Sequence, residues 1–245
     1  MALALAQAGA RVTGVALHES PQLHETLRRA KDLGAADRLR ILLGDLTEWS
    51  DCARIHAQAV QSFGMVEVLI NNAGIPMAGP GQPFWLADPA AWRQMAYTNI
   101  FSTFFLTRSV VPAMVSTGFG KVVNVSTGVG TMVRKYFSPY GPSKAFVETE
   151  SRIWAQELAG TGVTVNVLIP GGAVDTAADV KGVATPGRTF LPASVVVAPA
   201  AWLASDHSNG YTGLRLNASL WDEAVPIADR IARASQTTSG DPSIM

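Results

Sequence analysis

Two side chains that could move a proton, Tyr140 and Lys144, lie four positions apart in the segment Tyr-Gly-Pro-Ser-Lys. On a helix this spacing places both side chains on one face. An isolated tyrosine has a pKa of about 10, and a neighbouring ammonium group favours the phenolate and lowers that pKa. A phenol adjusted in this way can exchange a proton with an alcohol or carbonyl oxygen near neutral pH. The pair alone is weak evidence, because this spacing of tyrosine and lysine is common on exposed helix faces.

Further small and polar residues stand directly after apolar, β-branched runs that predict buried strands. These residues are Asn71 to Gly74, Ser126 and Thr127, and Pro170 and Gly171. In an open parallel sheet, ligands bind at the edge formed by the carboxyl ends of the strands. The pattern therefore predicts one site at which these residues meet the tyrosine–lysine pair.

The hydrophobic pattern alternates between extended and helical periods along the chain. Predicted strands cover residues 11–17, 39–43, 66–70, 122–126, 163–169 and 214–217. Predicted helices cover residues 1–8, 22–33, 48–63, 89–114, 139–158 and 193–204. Alternation with continuously apolar strands is typical of an α/β protein whose parallel sheet is covered by helices on both faces. No linker suggests a second domain, so residues 1–245 are predicted to form a single domain with a frayed tail at about 237–245.

Composition and charge argue against several classes of protein. Lysine plus arginine and aspartate plus glutamate are balanced at 19 each, so net charge favours neither nucleic acid nor an anionic membrane as a partner. We find no run that approaches the ~18 apolar residues of a membrane span, and we expect a cytoplasmic protein. The single Cys52 excludes an intrachain disulfide. Four scattered histidines show no metal-ligand spacing, so no metal site is expected.

Taken together, these motifs resemble those of the short-chain dehydrogenase/reductase family, in members of about this length. The matching segments are Asn71 to Gly74, Asn99, Ser126 and Thr127, Tyr140 to Lys144, and Pro170 to Thr176. They occur in the family's order, and the resemblance covers essentially the whole chain. It implies a doubly wound, Rossmann-like parallel sheet. It also implies an NAD(P)-dependent oxidoreductase that interconverts a secondary alcohol and a ketone.

The resemblance implies a role for each candidate catalytic residue. Tyr140 would be the general acid/base, and Lys144 would lower its pKa and bind the nicotinamide ribose. Thr127 stands where the family usually has a serine, and its hydroxyl would steady the substrate oxygen. Ser126 is the alternative donor if the strand register differs, because neighbouring strand residues face opposite sides. Asn99 would anchor a water-linked proton path beneath Lys144, or would instead satisfy helix backbone groups.

The resemblance likewise implies cofactor contacts from the strand ends. The carboxylate of Asp45 would accept from the adenine amino group, with Leu46 beside it, although Asp45 could instead cap a helix. The turn that contains Asn71, Ala73 and Gly74 would pass close to adenosine and stabilise the sheet. The nicotinamide would be bordered by Tyr140, Lys144, Pro170, Gly171 and Val174, and contacted by Thr176. The family more often has one residue fewer between the Pro-Gly pair and that threonine.

The choice of cofactor should depend on the end of the strand at residues 11–17. NAD-selective relatives usually carry an acid there, which hydrogen-bonds both ribose hydroxyls and repels a 2′-phosphate. In this chain the position is about Ala16, so the sequence favours NADP(H) over NAD(H). Glu19 could shift into the same place and reverse the preference.

Relatives usually pair through the two long helices, here residues 89–114 and 139–158. Phe146, Trp154 and Leu158 supply apolar surface on the second helix, although each could be a core residue instead. The resemblance therefore predicts a homodimer or homotetramer that acts on a small alcohol or ketone.

The main departure from the family is the missing first strand and glycine-rich loop, which should lie between the strands at residues 11–17 and 66–70. That loop normally holds the cofactor diphosphate at a helix N-terminus. We therefore expect a chain truncated at its N-terminus, which would be less stable and would bind nucleotide poorly. The alternative function is that of an inactive member that serves as a scaffold or regulatory subunit.

Overall fold

Strands and helices alternate along the chain in the computed structural model, which describes residues 1–77, 81–175 and 190–235. The strands are β1 (Val12–Ala16), β2 (Leu39–Leu43), β3 (Val68–Asn71), β4 (Gly120–Val125), β5 (Val163–Ile169), β6 (Val174–Asp175), β7 (Leu191–Pro192) and β8 (Arg215–Asn217). The α-helices are α1 (Ala2–Gln7), α2 (Pro21–Asp32), α3 (Trp49–Phe63), α4 (Pro89–Ala96), α5 (Ser102–Thr117), α6 (Val129–Met132), α7 (Tyr140–Glu157), α8 (Val197–Ala204) and α9 (Ile227–Ala234). This order confirms the predicted α/β class.

The strands pair in parallel, as the apolar runs predicted. β3, β4, β5 and β8 form one sheet in that order, and β1 pairs with β2 in a second. β1 and β3 are each the edge of their sheet, and the described residues place no strand between them. This is the position that the resemblance assigned to the family strand absent from the sequence.

Helices cover both faces of the larger sheet, because successive strand residues point to opposite sides. In β4, Val122 packs in an apolar cluster with residues of α3 and α5, such as Cys52 and Met114. The next residue, Val123, packs in a second cluster with residues of α8 and α9, such as Leu203 and Ile231. The central strands are therefore buried on both sides, which leaves their carboxyl ends as the place where polar groups can gather.

The largest departure from the predicted elements is in the helix expected at residues 89–114. It is divided into α4 and α5 by a π-helical turn at Tyr97–Phe101, which contains Asn99. Such turns inside α-helices are frequent at functional sites. The sequence pattern also missed α9, a short amphipathic helix after Pro226, and the two-residue pair formed by β6 and β7.

The expectation that no segment could span a membrane needs a correction. Pro89–Thr117 is long enough, and with a mean hydropathy of 1.2 apolar enough, to cross a membrane by length and composition. A third of its most apolar window is buried inside the protein. Met114 and Val110 of this segment are part of the apolar cluster on β4, so one face of the helix packs as a core helix does.

Candidate active site

The predicted site residues gather where the carboxyl ends of β3, β4 and β5 meet the start of α7. The amine of Lys144 donates to the carbonyl of Val125, at the end of β4, over 2.9 Å. A methyl group built on Gly74, after β3, would lie 3.6 Å from Nζ of Lys144 and 3.1 Å from Oδ1 of Asn99. Gly74, Asn99, Lys144 and the end of β4 therefore surround one small space.

Lys144 is the charged group at the base of this space. Its residue is only 7% exposed. Burial lowers the pKa of the Lys144 amine to about 8, and the nearby carboxylate of Glu148 acts in the opposite direction. Because desolvation disfavours the ammonium form, this amine can exchange its proton much closer to neutral pH than an exposed lysine can.

Tyr140 is the first residue of α7 and is half-buried, one helical turn before Lys144. The spacing therefore places the phenol and the amine on one face of one helix, as predicted. The next residue must be small, because a methyl group on Gly141 would lie 2.1 Å from the carbonyl oxygen of Met132. Close contact between α6 and the first turn of α7 thus fixes where α7 begins, and with it the position of Tyr140.

Asn99 clamps two segments of the site together. It is 1% exposed, and its Oδ1 accepts from the backbone N–H of Ile75 over 2.7 Å. Its Nδ2 donates to the carbonyl of Ile75 and to Oγ of Ser143, each over 3.1 Å. The side chain therefore satisfies backbone groups, as the alternative interpretation held, but on the loop after β3 rather than on its own helix. The water-linked path remains a prediction.

The two hydroxyls at the end of β4 have different surroundings. Ser126 is buried, and its Oγ donates to the carbonyl of Lys144 over 3.4 Å. Thr127 is half-buried, and its backbone carbonyl accepts from Nη2 of Arg215 over 2.9 Å. Because Ser126 already bonds α7, Thr127 is the better candidate for a donor to a substrate oxygen. Sequence reasoning missed Arg215, because a charged first residue of a short strand gives no local signal of a partner 88 positions away.

A cleft of about 560 Å³ lies beside these residues, at the ends of β1 and β2. Its lining includes the following residues: Val15, Ala16, Leu17, Asp45, Leu46, Thr47, Ala73, Ile75, Arg93 and Thr98. Oδ1 of Asp45 accepts from the N–H and the hydroxyl of Thr47, over 2.9 and 2.7 Å. One carboxylate oxygen of Asp45 is therefore engaged in a local turn, while Asp45, Leu46 and Ala73 lie at the cleft as predicted.

The side chain of Asn71 lies in the core at the end of β3. Its Nδ2 donates to Oγ1 of Thr107 over 2.9 Å and to Oδ1 of Asn124 over 2.8 Å. Asn124 in turn donates to Oγ of Ser151 over 2.8 Å. Because Asn71 is opposite Asn124 in the β3–β4 register, its side chain joins strands and helices within the core. This side chain therefore stabilises the sheet, and the approach of its turn to the cofactor stays a prediction.

The residues after β5 are only partly described. Gly171 has φ of 92°, and a methyl group there would lie 2.2 Å from both Asn217 Oδ1 and Ser219 Oγ. Only glycine fits this turn after Pro170. Val174 pairs with Leu191 in the β6–β7 ladder, so its backbone has a structural partner. Thr176 lies outside the described residues.

The arrangement suits proton transfer to an oxygen atom held next to a hydride source. It has a phenol and a buried amine on one helix face, a hydroxyl-bearing residue at the adjoining strand end, and space kept open by Gly74. Among the residues that the structure describes, no group of three or more acidic, cysteine or histidine side chains could hold a metal ion. The phenol of Tyr140 and the amine of Lys144 are groups suited to acid–base catalysis.

Comparison with known proteins agrees with this geometry. A family model described as short chain dehydrogenase matches residues 1–185. Galactitol 2-dehydrogenase (L-tagatose-forming) of Cereibacter sphaeroides is 36% identical over 146 residues, 59% of this chain and 56% of that protein. The 2-dehydro-3-deoxy-D-gluconate 5-dehydrogenase of Dickeya dadantii is 30% identical over 227 residues, 86% of each chain. The chain thus spans little more than half the length of the first relative and most of the second.

A solved structure shows the same fold over most of both chains. It is a protein of Sinorhizobium meliloti 1021 assigned as a short-chain alcohol dehydrogenase, with 28% sequence identity and a TM-score of 0.75. The match covers 89% of this chain and 88% of that one. The parallel sheet with helices on both faces is therefore shared with a doubly wound relative.

The buried amine makes a prediction about stability and pH. The pKa of Lys144 is about 8 when folded and returns to about 10.4 on unfolding. Between these values the unfolded chain binds more protons, so the free energy of unfolding should rise with pH across this window. In Lys144→Met the rise should be flatter, and the variant should melt at a higher temperature than the wild type at pH 7.

The measurement is thermal unfolding at intervals from pH 7 to 10.5. Lys135→Met, at an exposed lysine, is the matched control and should keep the wild-type slope. Equal slopes for the wild type and Lys144→Met would show that burial does not depress this pKa.

Proposed function

Because this chain belongs to the short-chain dehydrogenase family of oxidoreductases, we propose that it interconverts a secondary alcohol and a ketone with an NAD(P) cofactor. The observation that carries the proposal is the buried amine of Lys144, whose pKa is lowered, one helical turn from the phenol of Tyr140. The names of the two relatives above are those of dehydrogenases, one acting on galactitol. Galactitol and related polyols are therefore the first substrates to try.

Tyr140 moves the proton in this proposal. In the direction of reduction, the carbonyl carbon gains a hydride and the carbonyl oxygen takes the phenolic proton, which leaves a neutral alcohol and a phenolate. In the direction of oxidation, the phenolate takes the hydroxyl proton as the hydride leaves the carbon. The positive charge of Lys144 favours the phenolate in both directions. Bulk water restores the proton after each turnover.

Thr127 holds the reacting oxygen. A hydroxyl donor directed at an oxygen that gains negative charge stabilises the transition state more than the ground state. The threonine has one more methyl group than the family's usual serine, and this restricts its side-chain rotamer. The methyl group also narrows the space in which the substrate carbon can lie.

The described residues fit the two ends of a nicotinamide dinucleotide. The cleft of about 560 Å³ lies within the range of small-molecule sites, and Asp45, Leu46 and Ala73 would hold the adenine there. A side chain on Gly74 would reach within 3.1 Å of Asn99, so glycine keeps open the space in which Tyr140 and Lys144 would meet the nicotinamide ribose. When bound, the nicotinamide supplies or accepts the hydride. Pro170 and Gly171 would border its ring.

NADP(H) is the preferred form in this proposal. Ala16 lines the cleft at the end of β1, where an acid would select NAD. Arg93 of α4 lines the same cleft and is a cation that a 2′-phosphate could approach. Glu19, the one acid that could reverse the preference, has its carboxylate 3.7 Å from Nε2 of His24. In the structure Glu19 therefore faces a histidine of α2.

We expect a homodimer or homotetramer that assembles through the long helices, because these helices expose large apolar side chains. Phe101 and Phe104 are exposed near the start of α5, and Phe146 and Ile153 are exposed on α7. Trp154 and Leu158, which the sequence also assigned to this surface, pack partly against the protein's own apolar cluster. The exposed aromatic surface is therefore centred on Phe146 rather than on the end of α7.

Catalysis provides the first prediction. Tyr140→Phe should remove nearly all turnover with NADPH and a ketone, because the ring remains but the proton donor is lost. Thr127→Val, which loses one donor, should reduce turnover by roughly 10²-fold. Tyr136→Phe, at an exposed tyrosine in the preceding loop, should be active. Near-normal turnover in Tyr140→Phe would refute the mechanism.

A wild-type protein that folds, leaves nicotinamide fluorescence unchanged on mixing with NADPH or NADH, and has no turnover would favour the scaffold function instead.

Cofactor choice provides the second prediction. The wild type should have a higher kcat/KM with NADPH than with NADH, and Ala16→Asp should reverse that order because the new carboxylate repels a 2′-phosphate. His18→Asp, two residues further on and exposed, is the control. The measurement is initial rates with both cofactors at one ketone concentration. A wild type that prefers NADH would contradict the proposal.

Assembly provides the third prediction. Size-exclusion chromatography with light scattering should give two or four times the chain mass. Phe146→Glu combined with Ile153→Glu should give the monomer, because two charges would be buried in the interface. Val133→Glu, at a residue 82% exposed outside α5 and α7, should leave the mass unchanged. A wild type that is monomeric at every concentration would count against the interface.

A further inference from the structure

The short buried strand β8 begins with a buried cation, Arg215. Its side chain is 8% exposed, and that of its partner Glu148 on α7 is 9% exposed. Leu216, next along the strand, is fully buried in the apolar cluster against α8 and α9. Arg215 points to the other face, toward α7, because neighbouring strand residues face opposite sides.

Arg215 joins three elements at the proposed reaction site. Its Nε donates to Oε2 of Glu148 over 2.8 Å. Its Nη2 donates to the backbone carbonyl of Thr127, just beyond β4, over 2.9 Å. The planar guanidinium thus fixes the position of the residue whose hydroxyl is proposed to hold the substrate oxygen. A lysine at this position would have no such fork of donors.

A buried ion pair is poor evidence for stability alone. Taking two charges out of water costs about as much as their attraction returns, and apolar residues of similar volume often serve the fold equally well. The hydrogen bond from Arg215 to the carbonyl of Thr127 connects this pair to the proposed reaction site. We propose that Arg215 and Glu148 are positioning residues that fix Thr127 relative to Tyr140 for the reaction.

The inference rests on the proposed function and follows from the geometry of Thr127. A threonine side chain has few accessible rotamers, so the place of its hydroxyl is set by its backbone. That backbone lies beyond the last paired residue of β4, where the sheet no longer holds it. A displacement of about 1 Å at a reacting group can reduce a rate on the order of 10²-fold. The bond from Arg215 prevents such a displacement.

Glu148 connects the Arg215–Thr127 contact to Lys144. It is one helical turn beyond Lys144 on α7, so the two side chains share a face. Its carboxylate raises the pKa of the Lys144 amine against the effect of burial. Tyr140 is the other titratable group of α7 one turn away. From β4 the amine of Lys144 meets the neutral carbonyl of Val125.

The decisive variant replaces both charges, as Glu148→Leu combined with Arg215→Met. Because no buried charge is left unpaired, the melting temperature of this double variant should be close to that of the wild type. Its kcat for ketone reduction should fall on the order of 10²-fold, with a much smaller change in the KM for NADPH. The single variant Arg215→Lys should have a rate between those of the double variant and the wild type, because a lysine amine lacks the planar pair of donors that bonds both Glu148 and Thr127.

Lys121→Met is the matched control. Lys121 is another buried cation, at the opposite end of β4, where its amine donates to Ser208 and Asn209. Its loss should lower the melting temperature without lowering kcat. If the double variant folds and its kcat is within about twofold of the wild type, the positioning role is refuted and the pair is structural only.

An NMR measurement separates failure of this inference from failure of the proposed function. The chain has five lysines, so the ¹³C signal of Lys144 can be assigned from its loss in Lys144→Met. In Glu148→Gln, Lys144 should titrate at a lower pH than it does in the wild type. In threonine-methyl spectra, the Thr127 signal, assigned from Thr127→Val, should shift in the double variant and not in Lys121→Met.

These shifts without any wild-type turnover would refute the proposed function while leaving the positioning contact supported. Unchanged Thr127 and Lys144 signals would refute the positioning contact even in an active enzyme.

Discussion

Burial of one ammonium group, that of Lys144, is the constraint on which the rest of this site depends. An ion taken out of water costs several kcal/mol unless it finds partners, and Lys144 has the Val125 carbonyl and the field of Glu148. The bond to the Val125 carbonyl requires α7 to lie closely against the carboxyl end of β4. The first turn of α7 also lies against α6, and this contact requires glycine at position 141, because any larger residue would meet the Met132 carbonyl. A chemical requirement at one amine thus becomes a packing requirement for two helices and a strand.

Neutral amides hold α7 in this place from both sides. Asn99 bonds the loop after β3 and Ser143 of α7, and the Asn71–Asn124–Ser151 chain joins β3, β4 and the middle of the same helix. Buried polar groups that are fully hydrogen-bonded stiffen a structure, since each becomes costly once its partner is lost. The site is therefore built on a rigid frame, which is what positioning of a proton donor requires.

The sequence predicted those parts of the fold that depend on local pattern. Residues 163–169 are predicted to the residue, because a largely apolar, valine-rich run there ends at a proline and a glycine. The spacing of Tyr140 and Lys144 predicted their common helix face for the same local reason. The chain's order of motifs likewise predicted the parallel sheet and the family to which it belongs.

Other features depend on partners that are distant in sequence. The π-helical turn contains Asn99, whose side chain bonds Ile75, 24 positions away. The partners of the Asn71 side chain follow from its register with Asn124, which directs it into the core. Arg215 resembles an ordinary surface charge in a short strand until its contact with Thr127, 88 positions away, is known. Residue type and spacing do not contain that information.

The central claim is that the charge of Lys144 makes Tyr140 an effective proton donor while a hydride reaches the substrate carbon. Single-turnover mixing of a ketone with nicotinamide deuterated at the reactive carbon tests it most directly. With the wild type we expect deuterium on the alcohol carbon of the product. In Lys144→Met the same deuterated product should form at a rate lower by at least roughly 10²-fold. Absence of deuterium from that carbon, or equal rates in the two proteins, would contradict the account.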